Sequence, residues 1–212
     1  MAQYSISEIE LWDKFYRRNF INCLSGYKSV SLIGTVSNDG LTNLAIFSNI
    51  VHIGADPALI GYINRPKQAA PHTISNIEKT GQYTLNHIHP GILAAAHQTS
   101  AKYLLEESEF SATGLTEEYK AGCLAPFVKE SKIKYALNLV EIIPIQHNNT
   151  FFVIGALQNV YLQDESIVEL DGFINIANAG SITSLGVDAY YTTDKIVRYP
   201  YAKPGENYTN NE

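Results

Sequence analysis

Apolar and polar residues repeat with two different periods along this chain, and each change of period marks an element. Across residues 7–21, Ile9, Trp12, Phe15, Tyr16 and Phe20 recur at steps of three and four, which predicts one amphipathic helix. Ser7 and Glu10 have capping-box spacing at its start, and Gly26 marks its exit. From residue 28 the pattern turns to strands. KSVSLIGTV (28–36) and LTNLAIFSNIVHI (41–53) flank Ser37-Asn38-Asp39-Gly40, a stretch with hairpin chemistry. Asp56-Pro57 breaks the pattern, and ALIGYI (58–63) follows as a third strand. No helical period separates these three, so they predict a meander and not parallel βαβ units.

NRPKQAAPH (64–72) reads as a loop fenced by Pro66 and Pro71. Thr73 has the residue type of an N-cap, ahead of a short helix, ISNIEKTG, that Gly81 ends. QYTLNHI (82–88) alternates as a strand, and residues 91–105 are Ala-rich and helical in part. Residues 106–134 are polar, contain Pro126 and predict a long excursion over the surface, with Glu106, Glu107 and Glu109 as a solvated acidic run. YALNLVEIIPI (135–145) and TFFVIGALQNVYL (150–162) predict a second hairpin around His147-Asn148-Asn149. A short apolar piece, FINIANA, then leads to SITSLGVDAYY, and the polar tail from Lys203 is expected to be disordered. Five or six strands with a few edge helices predict a mainly β chain: a closed, antiparallel barrel with peripheral helices.

Composition narrows the class. The chain has 212 residues, which suits a single barrel domain. Its hydrophobic content of 45% supports a real core. The net charge of -6 argues against nucleic-acid binding through a basic face. Cys23 and Cys123 are far apart and have no CxxC spacing, so they read as reduced structural thiols of a cytoplasmic protein. The N-terminus carries acidic residues inside its apolar pattern and does not read as a signal peptide. No run approaches the roughly 18 apolar residues of a membrane span.

Two stretches carry candidate chemistry. In 41–53, alternation sets Asn43, Ala45, Phe47 and Asn49 on one face and Leu44, Ile46, Ser48 and Ile50 on the other. Asn43 and Asn49 are poor strand formers, and small Ala45 would let something flat approach the backbone. Such a strand can offer backbone N–H and C=O groups to a planar ring, or it can be an ordinary strand with half-solvated polar positions. Arg65 and Lys67 then bring positive charge just ahead of Thr73 and a helix N-terminus, whose free amides and dipole suit a phosphate. Arg adds a planar fork of donors. The same residues also suit a plain cap and a solvated charge. His87 and His89 lack a third metal ligand, and no GxSxG surrounds Ser100 beside His97. Neither GxGxxG nor GxxxxGK[ST] occurs, which removes Rossmann and P-loop readings.

In order, GTVSNDGLTNLAIFSNIVHIGADPALIGYINRP, HTISNIEKTGQYTLN, SEFSATGLTEEY, APFVKESKIKYALNLVEI and SLGVDAYY resemble the flavin reductase-like domain, a split barrel that binds flavin mononucleotide (FMN). The resemblance spans about residues 17–192 and implies an antiparallel split β-barrel of Greek-key type. It divides the chain into a helical extension (1–26), the barrel domain (27–192) and a polar tail (193–212). It also implies a homodimer with FMN near the subunit interface and NADH or NADPH as electron donor. Carried over by position, Asn43, Ala45, Ile46, Phe47, Ser48 and Asn49 would meet the isoalloxazine ring and ribityl chain. Arg65, His72 and Thr73 would hold the phosphate. His97, Thr99, Ser100 and Lys102, in AHQTSAKY, would lie near the cofactor. No acid/base pair is then needed, because the flavin carries the redox chemistry. The implied function is an NAD(P)H-dependent flavin oxidoreductase acting on small molecules. A flavin-bearing electron carrier or a non-catalytic FMN-binding protein are the alternatives.

Overall fold

The computed structural model describes residues 1–206, 208 and 209. Its main sheet has seven strands. They are β2 (Ser31–Val36), β3 (Thr42–Phe47), β4 (Ile50–Ala55), β5 (Ala58–Asn64), β6 (Gln82–His87), β9 (Ile133–Ile145) and β10 (Thr150–Leu162), all antiparallel, in the order β3-β2-β6-β9-β10-β5-β4. The order dictates the shape. β3 and β4 are the two outer strands, yet only Ser48 and Asn49 separate them in the chain. Phe47 and Ile50 can stand at most about 11 Å apart, whereas the outer strands of a flat seven-stranded sheet would stand about 29 Å apart. The sheet must therefore curl until its edges nearly meet, which makes a barrel split between β3 and β4.

Two cores result. Inside the barrel, Ile33, Phe47, Tyr62, Tyr83, Leu85, Leu137 and Val153 pack together. Helix α3 (Pro71–Thr80) adds Ile74 and Ile77 to them and ends on Gly81 at φ 71°, in the left-handed region that favours glycine. On the outer face of β2 and β3, Leu32 and Leu44 pack with Ile92 and Ala96, in and just before α4 (Leu93–Gln98), and with Phe110 of α5 (Glu109–Thr113). β2 is buried on both faces, so its sequence reads as an apolar run without alternation.

A smaller sheet, β1 (Lys28–Ser29), β11 (Thr183–Leu185) and β12 (Ala189–Tyr191), flanks the barrel. A two-stranded ladder joins β7 (Glu117–Glu118) to β8 (Phe127–Val128). Residues 203–206, 208 and 209 carry no helix or strand, and the rest of the tail expected to be disordered lies outside the described residues.

Several expectations need correction. The single helix over 7–21 is two, α1 (Ile6–Glu10) and α2 (Lys14–Cys23). Asp13 restarts the helix, because its carboxylate accepts from the amides of Phe15 at 2.9 Å and Tyr16 at 3.1 Å. The capping box is Ser5 with Glu8, one of two overlapping pairs with that spacing. The strand 41–53 is two strands that turn at Ser48-Asn49, so the alternation that placed Asn49 beside Phe47 does not run through. The segment 106–134 is no surface excursion. Phe110, Ala125, Phe127 and Val128 are buried, and the segment is bonded to the barrel. Thr84 donates to the Pro126 carbonyl at 2.7 Å, and the Val128 amide donates to Asn86 Oδ1 at 2.9 Å. Buried Lys134 donates to the carbonyls of Val128 and Lys129 and pairs with Glu118.

Candidate functional site

The two stretches singled out from sequence meet through a buried polar cluster. Asn43 on β3 donates from Nδ2 to Thr73 Oγ1 on α3 at 3.0 Å and to Thr35 Oγ1 at 3.4 Å. Asn76, one turn along α3, donates to the same Thr35 hydroxyl at 3.1 Å. All four side chains are buried. Thr73 is thus no N-cap. Pro71 starts the helix, Ala70 is its cap, and no side chain caps it. Proline fits this first position because its missing N–H has no intrahelical partner there in any case. The hydroxyl of Thr73 points to β3 instead, which leaves the amides of His72 and Thr73 at the start of the helix ahead of its first intrahelical bond.

The charges around this helix start are divided. Lys67 pairs with Glu78 at 2.6 Å and lies over the Phe151 ring, so it is engaged along the helix flank. Arg65 is exposed and makes no ion pair among the described residues. Next to it, Asn64 is fully buried and donates to the Arg65 carbonyl at 2.7 Å, which fixes the loop's exit from β5.

Asn49, at the turn between the outer strands, donates to the Ile63 carbonyl at 3.0 Å. Its Oδ1 and that of Asn64 are buried acceptors with no hydrogen-bond partner among the described residues. Buried acceptors left without a donor are uncommon and call for an explanation such as a ligand. Ala45 and Ile46 on β3 and Ser48 just beyond it are half-buried, and Phe47 meets Tyr62 edge to face at 4.8 Å.

The structure also supplies residues that sequence reasoning missed. Glu109, expected to be solvated, is buried and accepts from the Leu44 amide at 2.8 Å. Burial pushes its carboxyl above the usual range, while the Leu44 amide and nearby His72 oppose that shift. Beside it, the Thr42 hydroxyl lies 2.7 Å from Ser108 Oγ and 2.6 Å from Glu117 Oε1. These groups hold the edge of β3 that faces away from β2. No periodicity distinguished Glu109 from its neighbours Glu106 and Glu107; only the adjacent Phe110 gave a sign that this turn packs inward.

The AHQTS stretch stands apart. α4 packs against Leu44 and Ile46, on the face of β3 opposite Ala45 and Phe47. His97 Nδ1 lies 2.7 Å from the Tyr190 hydroxyl. Thr99 is buried with its hydroxyl donating to the Ala96 carbonyl at 2.7 Å, a local bond at the helix end. Ser100 and Lys102 are exposed. Within one chain, then, Asn43 and Thr73 are joined, and the His97 group lies on the other face of the same strand.

Two surface cavities, of about 560 Å³ near Gln82 and Asn138 and about 430 Å³ near Lys132 and Asp164, contain none of the residues expected to bind flavin. His87 pairs with Ser181 and His89 with the Glu130 carbonyl, and no cluster of three ligands exists among the described residues. No helix among the described residues is long and apolar enough to cross a membrane.

Comparison with known proteins gives a consistent pattern. The family model for the flavin reductase like domain matches residues 26–172. A protein of Shewanella frigidimarina classed as a flavin reductase with split barrel domain is 48% identical, with a TM-score of 0.91 over 95% of this chain and 100% of that one. Nitrilotriacetate monooxygenase component B of Bacillus cereus shares the fold at 20% identity, with a TM-score of 0.82 over 94% of this chain and 98% of that one. An uncharacterized protein of Aquifex aeolicus is 25% identical over 165 residues, 77% of this chain and 83% of its own length.

Proposed function

This chain belongs to the flavin reductase like domain family, and on that premise we propose that it is an FMN-binding flavin oxidoreductase that takes a hydride from NADH or NADPH. The observation that carries the reading is the Asn43–Thr73 bond. It ties the stretch 45–48 to a helix start that has no side-chain cap and stands six residues beyond Arg65, which makes no ion pair among the described residues.

The residues present fit FMN. Arg65 and the amides of His72 and Thr73 supply the donors that a phosphate needs, and the helix dipole adds to them. Ala45 and Ser48 present little side-chain bulk beside the strand, so a flat ring can approach its backbone. Asn49 Oδ1 provides a buried acceptor for a ring N–H or a ribityl hydroxyl. Glu109 occupies the Leu44 amide and so keeps β3 from shifting along its outer edge. Bound FMN would supply reversible hydride acceptance. The protein's part is to bind, orient and shield it.

A homodimer is part of this reading. α2 buries none of its residues, while Leu11, Phe15, Tyr16 and Leu24 are largely exposed around it, as a second copy would require.

The test is a visible spectrum of the purified protein, followed by anaerobic addition of NADH or NADPH. A yellow protein that bleaches supports the reading. One that stays yellow moves it to an electron carrier or a flavin-binding protein without nicotinamide turnover. Failure to take up flavin would remove all three.

A further inference from the structure

Helices cover one half of the barrel wall, where α4 and α5 lie on the outer face of β2 and β3. The outer face of the other half stays open. Ile143 of β9 stands opposite Phe152 of β10, and Val51 of β4 stands opposite Gly61 of β5. Directly opposed residues share a face. The Phe152 ring occupies the space that a Cβ on Gly61 would need, with Ile53 Cδ1 beside it. Val51, Ile53, Phe152 and Ile143 therefore form one apolar surface, on the back of Tyr62 and Val153, which face the barrel core. Val51, Ile53 and Ile143 are exposed in the single chain.

The charge on this surface is one-sided. Residues 50–64 and 138–162 contain no Lys or Arg. Glu141 stands on the same face, opposite Ile154, and Asp56 lies at the turn between β4 and β5. An apolar surface without Lys has the composition of an interface.

α2 has the matching character. Tyr4, Trp12, Tyr16 and Phe20 pack edge to face with centroids 5.0 to 5.8 Å apart, so α1 and α2 form a unit with a small core of its own. The unit is tied down at its base, where Lys28 donates to the carbonyls of Asn22 and Gly186 and the Tyr27 ring meets Tyr191. Away from the base, Leu11 and Phe15 are 86% and 61% exposed. Lys14, Arg17 and Arg18 make α2 basic, with no acidic residue inside it, in a chain of net charge -6. A helix of ten residues is about 15 Å long, and four strands are about 14 Å across.

We propose that α2 of one copy lies across the outer face of β4, β5, β10 and β9 of a second copy, which returns the same contact. The inference rests on the homodimer in the reading above and adds where the two copies meet. The helical layer missing from this half of the barrel is supplied by the other chain. Leu11 and Phe15 cover Val51, Ile53 and Ile143, and the basic row of α2 faces Glu141 and Asp56. Helix meets sheet in this contact, and like does not meet like.

Sedimentation equilibrium on the purified full chain tests it with Phe15→Glu and Ile53→Glu. The wild type should be a dimer. Each variant should raise the dimer Kd at least about a hundredfold, because an unpaired carboxylate is buried in both copies of the contact. Mixed with each other, the two variants should associate about tenfold or more tightly than either does alone. The mixed dimer keeps one wild-type helix on one wild-type sheet, whereas each variant's own dimer keeps none. A monomeric wild type, a dimer that neither substitution weakens, or no gain on mixing overturns the proposal. Leu11→Glu and Val51→Glu repeat the comparison if circular dichroism shows either variant unfolded. FMN uptake is read separately by visible absorbance. A helix-to-sheet dimer that takes up no FMN removes the flavin reading and upholds this contact, and a monomer that binds FMN does the reverse.

Discussion

Asn43 Nδ2 lies 3.0 Å from Thr73 Oγ1, and this bond is where an outer strand of the barrel and the start of a helix become one structure. Neither residue is accessible, so the bond sets the distance between β3 and α3 without contacting solvent. Replacing Asn43 by Ala should take this donor from Thr73, while Thr35 keeps the one from Asn76, and cost about 1–3 kcal/mol of stability. Denaturant unfolding of Asn43→Ala, Thr73→Val and the double variant checks this. The double variant should lose less than the sum, because the two changes remove the same bond.

Glu109 holds the Leu44 amide from outside the sheet. Gln keeps an acceptor there and Ala does not, so Glu109→Ala should lose about 1–3 kcal/mol while Glu109→Gln stays closer to the wild type. The pH dependence has a definite sign. The folded carboxyl is raised by burial, so its contribution is fully present below the unfolded pKa and declines as pH climbs through the raised folded value. The stability of Glu109→Gln relative to the wild type should therefore improve with rising pH. Urea midpoints measured across the acid-to-neutral range would show it.

His87 behaves oppositely. Burial lowers its pKa from 6.5 to about 4, and Ser181 Oγ lies 3.0 Å from its Nδ1. A histidine buried in the neutral form contributes stability that is present above 6.5 and is lost as pH falls toward 4. The full loss amounts to at most about 3 kcal/mol. Thermal melts between these pH values should show a falling midpoint, and the fall should be smaller in His87→Gln.

Gly155 sits under the Tyr83 hydroxyl, and a Cβ there would collide with it and press on Leu137 Cβ. Tyr83 is fully buried, so its ring has no free space to move into. Gly155→Ala should destabilise the fold by about 1–3 kcal/mol through overpacking. Its melting temperature relative to the wild type is the measurement.

Much of this molecule could be read from sequence. The hairpin at 37–40, the strands 58–63 and 82–88, the long pair 135–145 and 150–162, and Gly81 as a helix end all depend on local chemistry, and all stand close to where they were expected. What could not be read depends on contacts distant in sequence. The break at Ser48-Asn49 carries no Pro or Gly and follows from barrel closure, so alternation alone ran the strand on to residue 53. Glu109 and the segment 106–134 look polar because their polar groups serve the barrel's edges; burial is decided by Leu44, Thr84 and Asn86, far away in the chain. Thr73 has the composition of a cap but spends its hydroxyl on Asn43, a choice that only the packing of α3 on β3 makes.

The central claim is that residues 43–49 and 65–73 form one FMN site with Arg65 at the phosphate end. The most direct test compares FMN with riboflavin, which lacks the phosphate, by calorimetric titration of the wild type and Arg65→Ala. Arg65→Ala should weaken FMN by roughly tenfold to a hundredfold, the worth of a charge-assisted bond, and leave riboflavin nearly unchanged. Equal losses for both ligands, or none for either, would contradict it.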